Sequence, residues 1–281
     1  MAGDCASSRM TQDVRPQSKE WYDLLASRQS GYHYPWRSRI DARNGEAAYT
    51  SLVTEHLTPQ LDVIDCGCGH GADALWVASE VRSVVGFDRV GPYLELAERT
   101  RLEQGLANVR FVLADSSAAA NSGTARLPVP DQSIDLFLSR RGPRNWVADA
   151  RRAGRPSAVL IQLNPVAGDP PTWNEELPDA LQMETAPGAR VNDLLGGLLT
   201  RLSEAGANLV SWQAFDVPEW LDSPEDLYTF LAWGRIPTRL PAYPAVRSAL
   251  DGVFSRHATQ EGLAIRHRRF LSKAVLARSP R

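Results

Sequence analysis

The chain has 281 residues, enough for one large or two small domains with a full core. Its apolar fraction of 43% and charged fraction of 23% are those of an ordinary globular protein, not of a disordered or fibrous one. With 31 basic against 33 acidic side chains the formal net charge is -2, which excludes a global field that gathers nucleic acid or an anionic membrane.

Residues 1–17 are polar and poor in large apolar groups, which predicts a disordered tail. The three cysteines are Cys5, in that tail, and Cys66 and Cys68 further on. They supply neither a disulfide framework nor a C-x-x-C metal pair, so a reducing, cytoplasmic compartment and no bound metal are expected. No apolar core of signal-peptide type stands near the N-terminus, and no apolar run is long enough to cross a bilayer, so no membrane partner is expected.

Residues 20–28, with Trp21, Tyr22, Leu24 and Leu25, have the spacing of a short amphipathic helix. The stretch Gly31-Tyr-His-Tyr-Pro-Trp-Arg37 is aromatic, and Pro35 keeps it extended. Tyr32, Tyr34 and Trp36 have two readings: cover for one edge of the core, or an aromatic face for a cationic ligand. Residues 44–57 predict a helix ahead of the first strand. Leu61, Val63 and Ile64 then mark a short apolar strand of the buried, parallel type. Gly67, Gly69 and Gly71 demand a sharply turning backbone, and residues 72–81 carry apolar groups at helical spacing. Strand, glycine turn and helix together present bare amides and a helix N-terminus to a nucleotide-like ligand.

Details select which nucleotide. A dinucleotide fingerprint is G-x-G-x-x-G, with the helix facing a pyrophosphate. Here the spacing is G-x-G-x-G after Asp65, an acid that is awkward for pyrophosphate and suits a ligand bearing an ammonium group. Ser83-Val-Val-Gly-Phe-Asp88 reads as a second strand whose closing acid is placed to accept from two ribose hydroxyls. A third strand over residues 109–114 is followed by Asp115 and Ser116. This ordered series resembles the class I S-adenosylmethionine (SAM)-dependent methyltransferases over roughly residues 61–163. The resemblance implies SAM as cofactor, held by Asp65, Gly67, Cys68, Gly69, Asp88, Arg89, Asp115, Ser116 and Ser139. It also implies an α/β fold: a class I methyltransferase Rossmann-like sheet, mostly parallel with the last strand antiparallel, with helices on both faces; residues 218–262 add a helical insertion between strands six and seven, where the usual fold returns through a hairpin.

The remaining elements follow in order. Residues 92–105 predict a helix ended by glycine, and 134–138 a fourth strand. That strand opens into Ser139-Arg-Arg-Gly-Pro-Arg-Asn-Trp146, which in the family lies beside the transferable methyl; the N/D-P-P-Y/F sequence of many amino-group methyltransferases is absent. Guanidinium groups match carboxylate or phosphate bidentately, so Arg140, Arg141 or both are candidates to hold an anionic acceptor, against the plainer reading of an internal salt bridge and a solvated neighbour. Arg144, Arg151, Arg152 and Arg155 read as a solvated helix face. A fifth strand is expected over 157–163, a loop and short helix over 164–183, an amphipathic helix over 190–205 and a sixth strand over 208–217. In residues 218–262, Ser223-Pro-Glu-Asp226 starts a helix, and 243–260 suggest another. The last strand is expected over 263–276. The domain reading is therefore a tail over 1–17, a helical and aromatic cap over 18–58, a SAM-binding core over 59–217, a helical lid over 218–262, and a final strand and tail over 263–281.

Methyl transfer from a sulfonium mainly requires alignment of acceptor and methyl in a dry site. A base is needed only where the acceptor atom must lose a proton. Tyr34 joins Arg140 and Arg141 as a catalytic candidate, with His33, His70 and Glu219 as other possible bases; His70, between two glycines, reads as contributing backbone alone. A weaker resemblance, to bacterial large-subunit rRNA guanine-N1 methyltransferases, rests on Arg141-Gly-Pro143 after strand four and on the insertion, but their cysteine zinc module is absent. The acceptor expected is a small anionic molecule. RNA or a nucleobase is the alternative, disfavoured by charge, and a SAM-binding scaffold without turnover is a third.

Overall fold

A computed structural model describes residues 18–27, 31–184, 191–233, 235 and 239–278. The expected tail over 1–17 lies outside these, as do Arg28, Arg190 and residues 279–281. The helices and strands run in the order α1 Lys19–Ala26, β1 Ser38–Ile40, α2 Glu46–Thr54, β2 Asp62–Cys66, α3 Ala72–Val77, β3 Ser83–Asp88, α4 Gly91–Glu103, β4 Val109–Leu113, β5 Ile134–Arg140, α5 Ala150–Ala153, β6 Gly154–Pro165, α6 Val191–Glu204, β7 Ala207–Leu221, α7 Pro224–Ala232, α8 Tyr243–His257 and β8 Leu263–Leu276.

One eight-stranded sheet has the order β1-β7-β8-β6-β5-β2-β3-β4. β2 pairs parallel with β3 and β5, β3 with β4, and β5 with β6, while β8 runs antiparallel to both β6 and β7. The α/β sheet, mostly parallel with an antiparallel last strand, is thus as the sequence predicts. The addition is β1, a three-residue edge strand antiparallel to the end of β7. Its sequence, Ser-Arg-Ile, is too short and too polar to show an alternation.

Two strands are longer than their apolar runs. β5 continues through Ser139 and Arg140, because Ser139 pairs in register with Gln162 and Arg140 with Leu163 of β6. β7 passes Val217 to Leu221 although Pro218 suggests a stop. A proline carbonyl can still accept, and that of Pro218 takes the Asp41 amide at 3.1 Å where β1 ends.

The sheet buries an apolar layer on each face. On one, Phe137 stacks on the fully buried Trp146 with centroids 5.6 Å apart, backed by Leu198 and Leu202 of α6. On the other, Tyr49 and Val53 of α2 and Ala74 and Val77 of α3 cover Val63, Leu136 and Ile161. A third cluster joins α7 and α8 to Trp36, Leu263 and Ile265. Inside it Trp36 Nε1 and Ser38 Oγ donate to Glu219 Oε1 at 2.9 and 2.7 Å, and Glu219 Oε2 pairs with His267 Nδ1 at 2.8 Å. Burial alone would raise the Glu219 pKa, but hydrogen bonds from His267, Trp36 and Ser38 outweigh it and hold the carboxyl below its usual range. Glu219 is therefore an anchor for β1 and the aromatic segment, away from the cavity where a base would have to act.

Candidate active site

The carboxyl ends of β2, β3, β4, β5 and β6 open into one cavity of about 490 Å³. This is where an open α/β sheet takes its ligand. The glycine loop forms its floor. Gly67, Gly69 and Gly71 all have positive φ, at 75°, 53° and 83°. A Cβ on Gly67 would come within 2.4 Å of Pro143 Cδ, and one on Gly71 within 2.7 Å of Phe111 Cζ. Gly69 is open, its nearest neighbour being Tyr32 Cβ at 3.9 Å. The glycines are thus needed for two reasons, backbone conformation at all three and close packing at Gly67 and Gly71.

The acids expected from sequence line this cavity together. Asp88, closing β3, accepts from the Gly69 amide at 2.8 Å through Oδ2 and from the Val90 amide at 3.0 Å through Oδ1. Burial raises its pKa against those bonds. Asp115 accepts from the Ser117 amide at 2.8 Å, and its Oδ2 lies 3.8 Å from Arg89 Nη1. Arg89 in turn lies over the Tyr22 ring of α1, 5.2 Å from its centroid. Ser116 and Cys68 are buried in the lining. Burial pushes the Cys68 thiol well up, so it sits there as a small apolar group and not as a thiolate.

Asp65 is 2% exposed and accepts from the Ala74 amide at 3.2 Å. Burial, then the negative charge of Asp73, push its pKa well above the carboxylate range, against the pull of Arg140. Asp73 is also raised by burial, opposed by Arg140 and by the Tyr49 hydroxyl, which donates to Asp73 Oδ2 at 2.9 Å. This end of the cavity carries two buried acids and one guanidinium.

Four sequence-derived candidates change place or partner. Ser139 is fully buried and donates to the Cys66 carbonyl at 3.1 Å, clamping β5 to β2; because β5 continues past it, it does not line the cavity. Tyr34 stacks on Trp36 with centroids 4.5 Å apart and belongs to the third apolar cluster; Tyr32 is the tyrosine of that segment in the cavity wall. Arg140 is spoken for: Nη2 lies 2.6 Å from Asp73 Oδ1 and Nη1 3.2 Å from Glu46 Oε2. Arg144, expected on a solvated face, lines the cavity and donates to the Pro165 carbonyl at 3.3 Å.

Arg141 differs from its neighbour. Its backbone has φ 64°, the amide donates to the Leu163 carbonyl at 2.7 Å, and Nε is buried with no partner among the described residues. The guanidinium sits 6.0 Å from the centroid of Tyr32 and meets no carboxylate there. His70 contributes its ring as well as its backbone: Nδ1 accepts from the Tyr32 amide at 3.2 Å, tying the aromatic segment to the glycine loop. Burial and the nearby His33, Arg141 and Arg140 lower its pKa, which keeps the accepting nitrogen free of a proton.

Residues 57–166, which hold the glycine loop and all three acids, match a family model described as a methyltransferase domain. The order of glycines and acids in that segment is the one expected of class I methyltransferases. Over 119 residues the chain is 30% identical to the uncharacterized methyltransferase YcgJ of Bacillus subtilis, covering 42% of this chain and 43% of that one. Over 135 residues it is 30% identical to an uncharacterized RNA methyltransferase of Nitratidesulfovibrio vulgaris, covering 47% of this chain and 28% of that one. The chain thus spans less than half the length of these relatives. A crystal structure from Deinococcus radiodurans R1 superposes with a TM-score of 0.62 at 21% identity, covering 91% of this chain and 98% of that one, which shows that the fold extends beyond the methyltransferase domain.

The methyltransferase domain supplies every cavity acid, while Tyr22 and Tyr32 come from the segment before it. Asp73, Glu46 and Tyr49, the partners of Arg140, carry no motif. An acid in the first turn of a helix, as Asp73 is, reads from sequence as a complement to the helix dipole.

Proposed function

We propose that this protein is a SAM-dependent methyltransferase whose acceptor is a small anionic molecule. The chain has what the cofactor needs. Asp65 is a buried acid whose nearby guanidinium, Arg140, is paired with Asp73 and Glu46, which suits Asp65 to an ammonium group; Asp88 offers carboxylate oxygens to a ribose; Asp115 and Ser116 close the adenine end; and Gly69 leaves the loop open to close approach. When bound, SAM supplies a methyl on a sulfonium that already carries its own leaving group.

The residues then have separable tasks. Asp65 and Asp88 fix the donor, the latter also ordering the glycine loop through the Gly69 amide. Tyr32, with its hydroxyl held protonated chiefly by burial, covers the cavity and excludes water. Arg141 holds the acceptor's anionic group, and the observation that carries this is its guanidinium in the cavity wall, in no ion pair with a carboxylate among the described residues. Arg140, already paired with two acids, keeps the floor in place.

RNA is the second reading, favoured by the Nitratidesulfovibrio vulgaris relative's name and disfavoured by a net charge of -2. Incubation with methyl-labelled SAM and cell extract split into RNA and small-molecule fractions tests both. Label in a small anionic metabolite is the expected result; label confined to RNA overturns the acceptor. Demonstrated SAM binding without label in either fraction leaves a non-catalytic SAM-binding protein.

A further inference from the structure

The cavity end past β5 holds more positive charge than a monoanion needs. β6 lies beyond β5 on the side away from β2, β3 and β4, so Asn164 and Pro165 mark the part of the cavity farthest from Asp115. Arg144 lines that part, with its Nη2 on the Pro165 carbonyl. On α6 stands Arg201, whose Nε is buried without a partner among the described residues. The two guanidiniums feel each other: burial first, then the charge of Arg201, lower the Arg144 pKa. Neither meets a carboxylate among the described residues.

Three other half-buried arginines of this chain are each neutralised by two acids. Arg140 holds Asp73 and Glu46, Arg152 holds Asp149 and Asp131, and Arg155 holds Asp62 and Asp135. Cations brought together in a partly desolvated place without an acid repel each other, and the repulsion is relieved when an anion enters. The side-chain oxygens of Asn145 and Asn164 in the same wall also lack donors, and rotating either amide presents an NH₂ group instead.

We infer that the acceptor is a dianion whose charge is met by Arg141 and by Arg144, with Arg201 behind it. This rests on the reading of a small anionic acceptor and narrows it to dicarboxylates and to phosphate monoesters. A guanidinium fork suits either group. A monoanion on Arg141 would leave the charge of Arg201 acting on Arg144 unrelieved.

The test uses the full chain. A small-molecule extract is separated by anion exchange at pH 8 against benzoate, glutarate and phenyl phosphate standards, and each fraction is assayed for methyl acceptance from labelled SAM. Acceptor activity is expected in fractions that elute with glutarate or phenyl phosphate. Its loss after phosphatase treatment identifies a phosphate monoester, and its persistence a dicarboxylate. On that fraction Arg144→Ala should lower kcat/KM at least tenfold and Arg144→Lys less, with calorimetric affinity for S-adenosylhomocysteine unchanged in both. Acceptor activity only among monoanionic or neutral fractions, or Arg144→Ala at wild-type efficiency, overturns the inference while leaving methyl transfer intact. Label only in RNA, or none at all, removes the reading beneath it.

Discussion

Arg140 Nη2 sits 2.6 Å from Asp73 Oδ1, while Arg141, the next residue, meets no carboxylate among the described residues. Both line the cavity, but Arg140 is neutralised by two acids and Arg141 by none of the described ones. Arg140→Ala would leave Asp73, 5% exposed, as an unpaired buried acid, at a cost of about 2–4 kcal/mol. Arg141→Gly relieves a left-handed backbone that costs a side-chain-bearing residue about 1 kcal/mol, so it should unfold at the same denaturant concentration as wild type or higher. Its kcat/KM for methyl transfer should still fall by an equivalent of roughly 2–4 kcal/mol. Equal destabilisation by both changes in urea melts would refute this division of labour.

The glycine loop makes a second contrast. Gly67→Ala forces a Cβ to within 2.4 Å of Pro143 Cδ at a positive φ, so stability should drop by at least about 2 kcal/mol, together with SAM affinity. Gly69→Ala meets nothing closer than 3.9 Å and should cost only the backbone strain, about 1 kcal/mol. Urea melts of the two variants check the order, and a Gly69→Ala loss as large as that of Gly67→Ala contradicts the geometry.

His70 gives a pH effect of definite sign. The Tyr32 amide donates to Nδ1, which can accept only while the imidazole is neutral, and the folded-state pKa is depressed, chiefly by burial. The unfolded chain therefore binds this proton more readily than the folded one. The contribution is present above the ordinary histidine pKa of about 6.5 and is lost as pH falls through the lower folded value. Thermal melts between pH 7.5 and pH 5 should show wild type losing more stability than His70→Gln, whose side-chain carbonyl still accepts from Tyr32 at both ends of the range. Parallel losses in the two proteins would place the acid sensitivity elsewhere.

The strand endings and glycines of the donor half were legible because local chemistry dictates them. Gly67 and Gly71 stand where no side chain fits, and Asp88 and Asp115 cap strands whose apolar runs stop beside them. The acceptor half depends on partners far away in sequence. Ser139 looks like a loop residue until Gln162 pairs with it across β6. Which of two adjacent cavity arginines is neutralised is decided by Glu46 and Asp73, the former 94 residues from Arg140. Tyr34 and Tyr32 are likewise equivalent as letters, and only the packing of α7 and Trp233 against Tyr34 draws it into the apolar cluster.

Asp65 couples donor binding to a proton. Burial and the charge of Asp73 raise its pKa in the free protein, so its ionised form is disfavoured there. A raised acid contributes stability fully below its unfolded pKa and loses it as pH climbs through the folded value. Asp65→Asn keeps a carbonyl for the Ala74 amide and removes the charge, so without ligand it should be at least as stable as wild type at pH 8. Binding reverses the preference, since an ammonium group beside Asp65 favours the carboxylate. Affinity for S-adenosylhomocysteine should therefore rise with pH through the free protein's raised value, and binding below that value should release a proton. Calorimetry in phosphate and in Tris, whose ionisation enthalpies differ, reads the release directly. Asp65→Asn should weaken binding by roughly 2–3 kcal/mol and abolish the buffer dependence. An unchanged proton release in that variant would assign the titration to Asp73, the other buried acid at this end of the cavity.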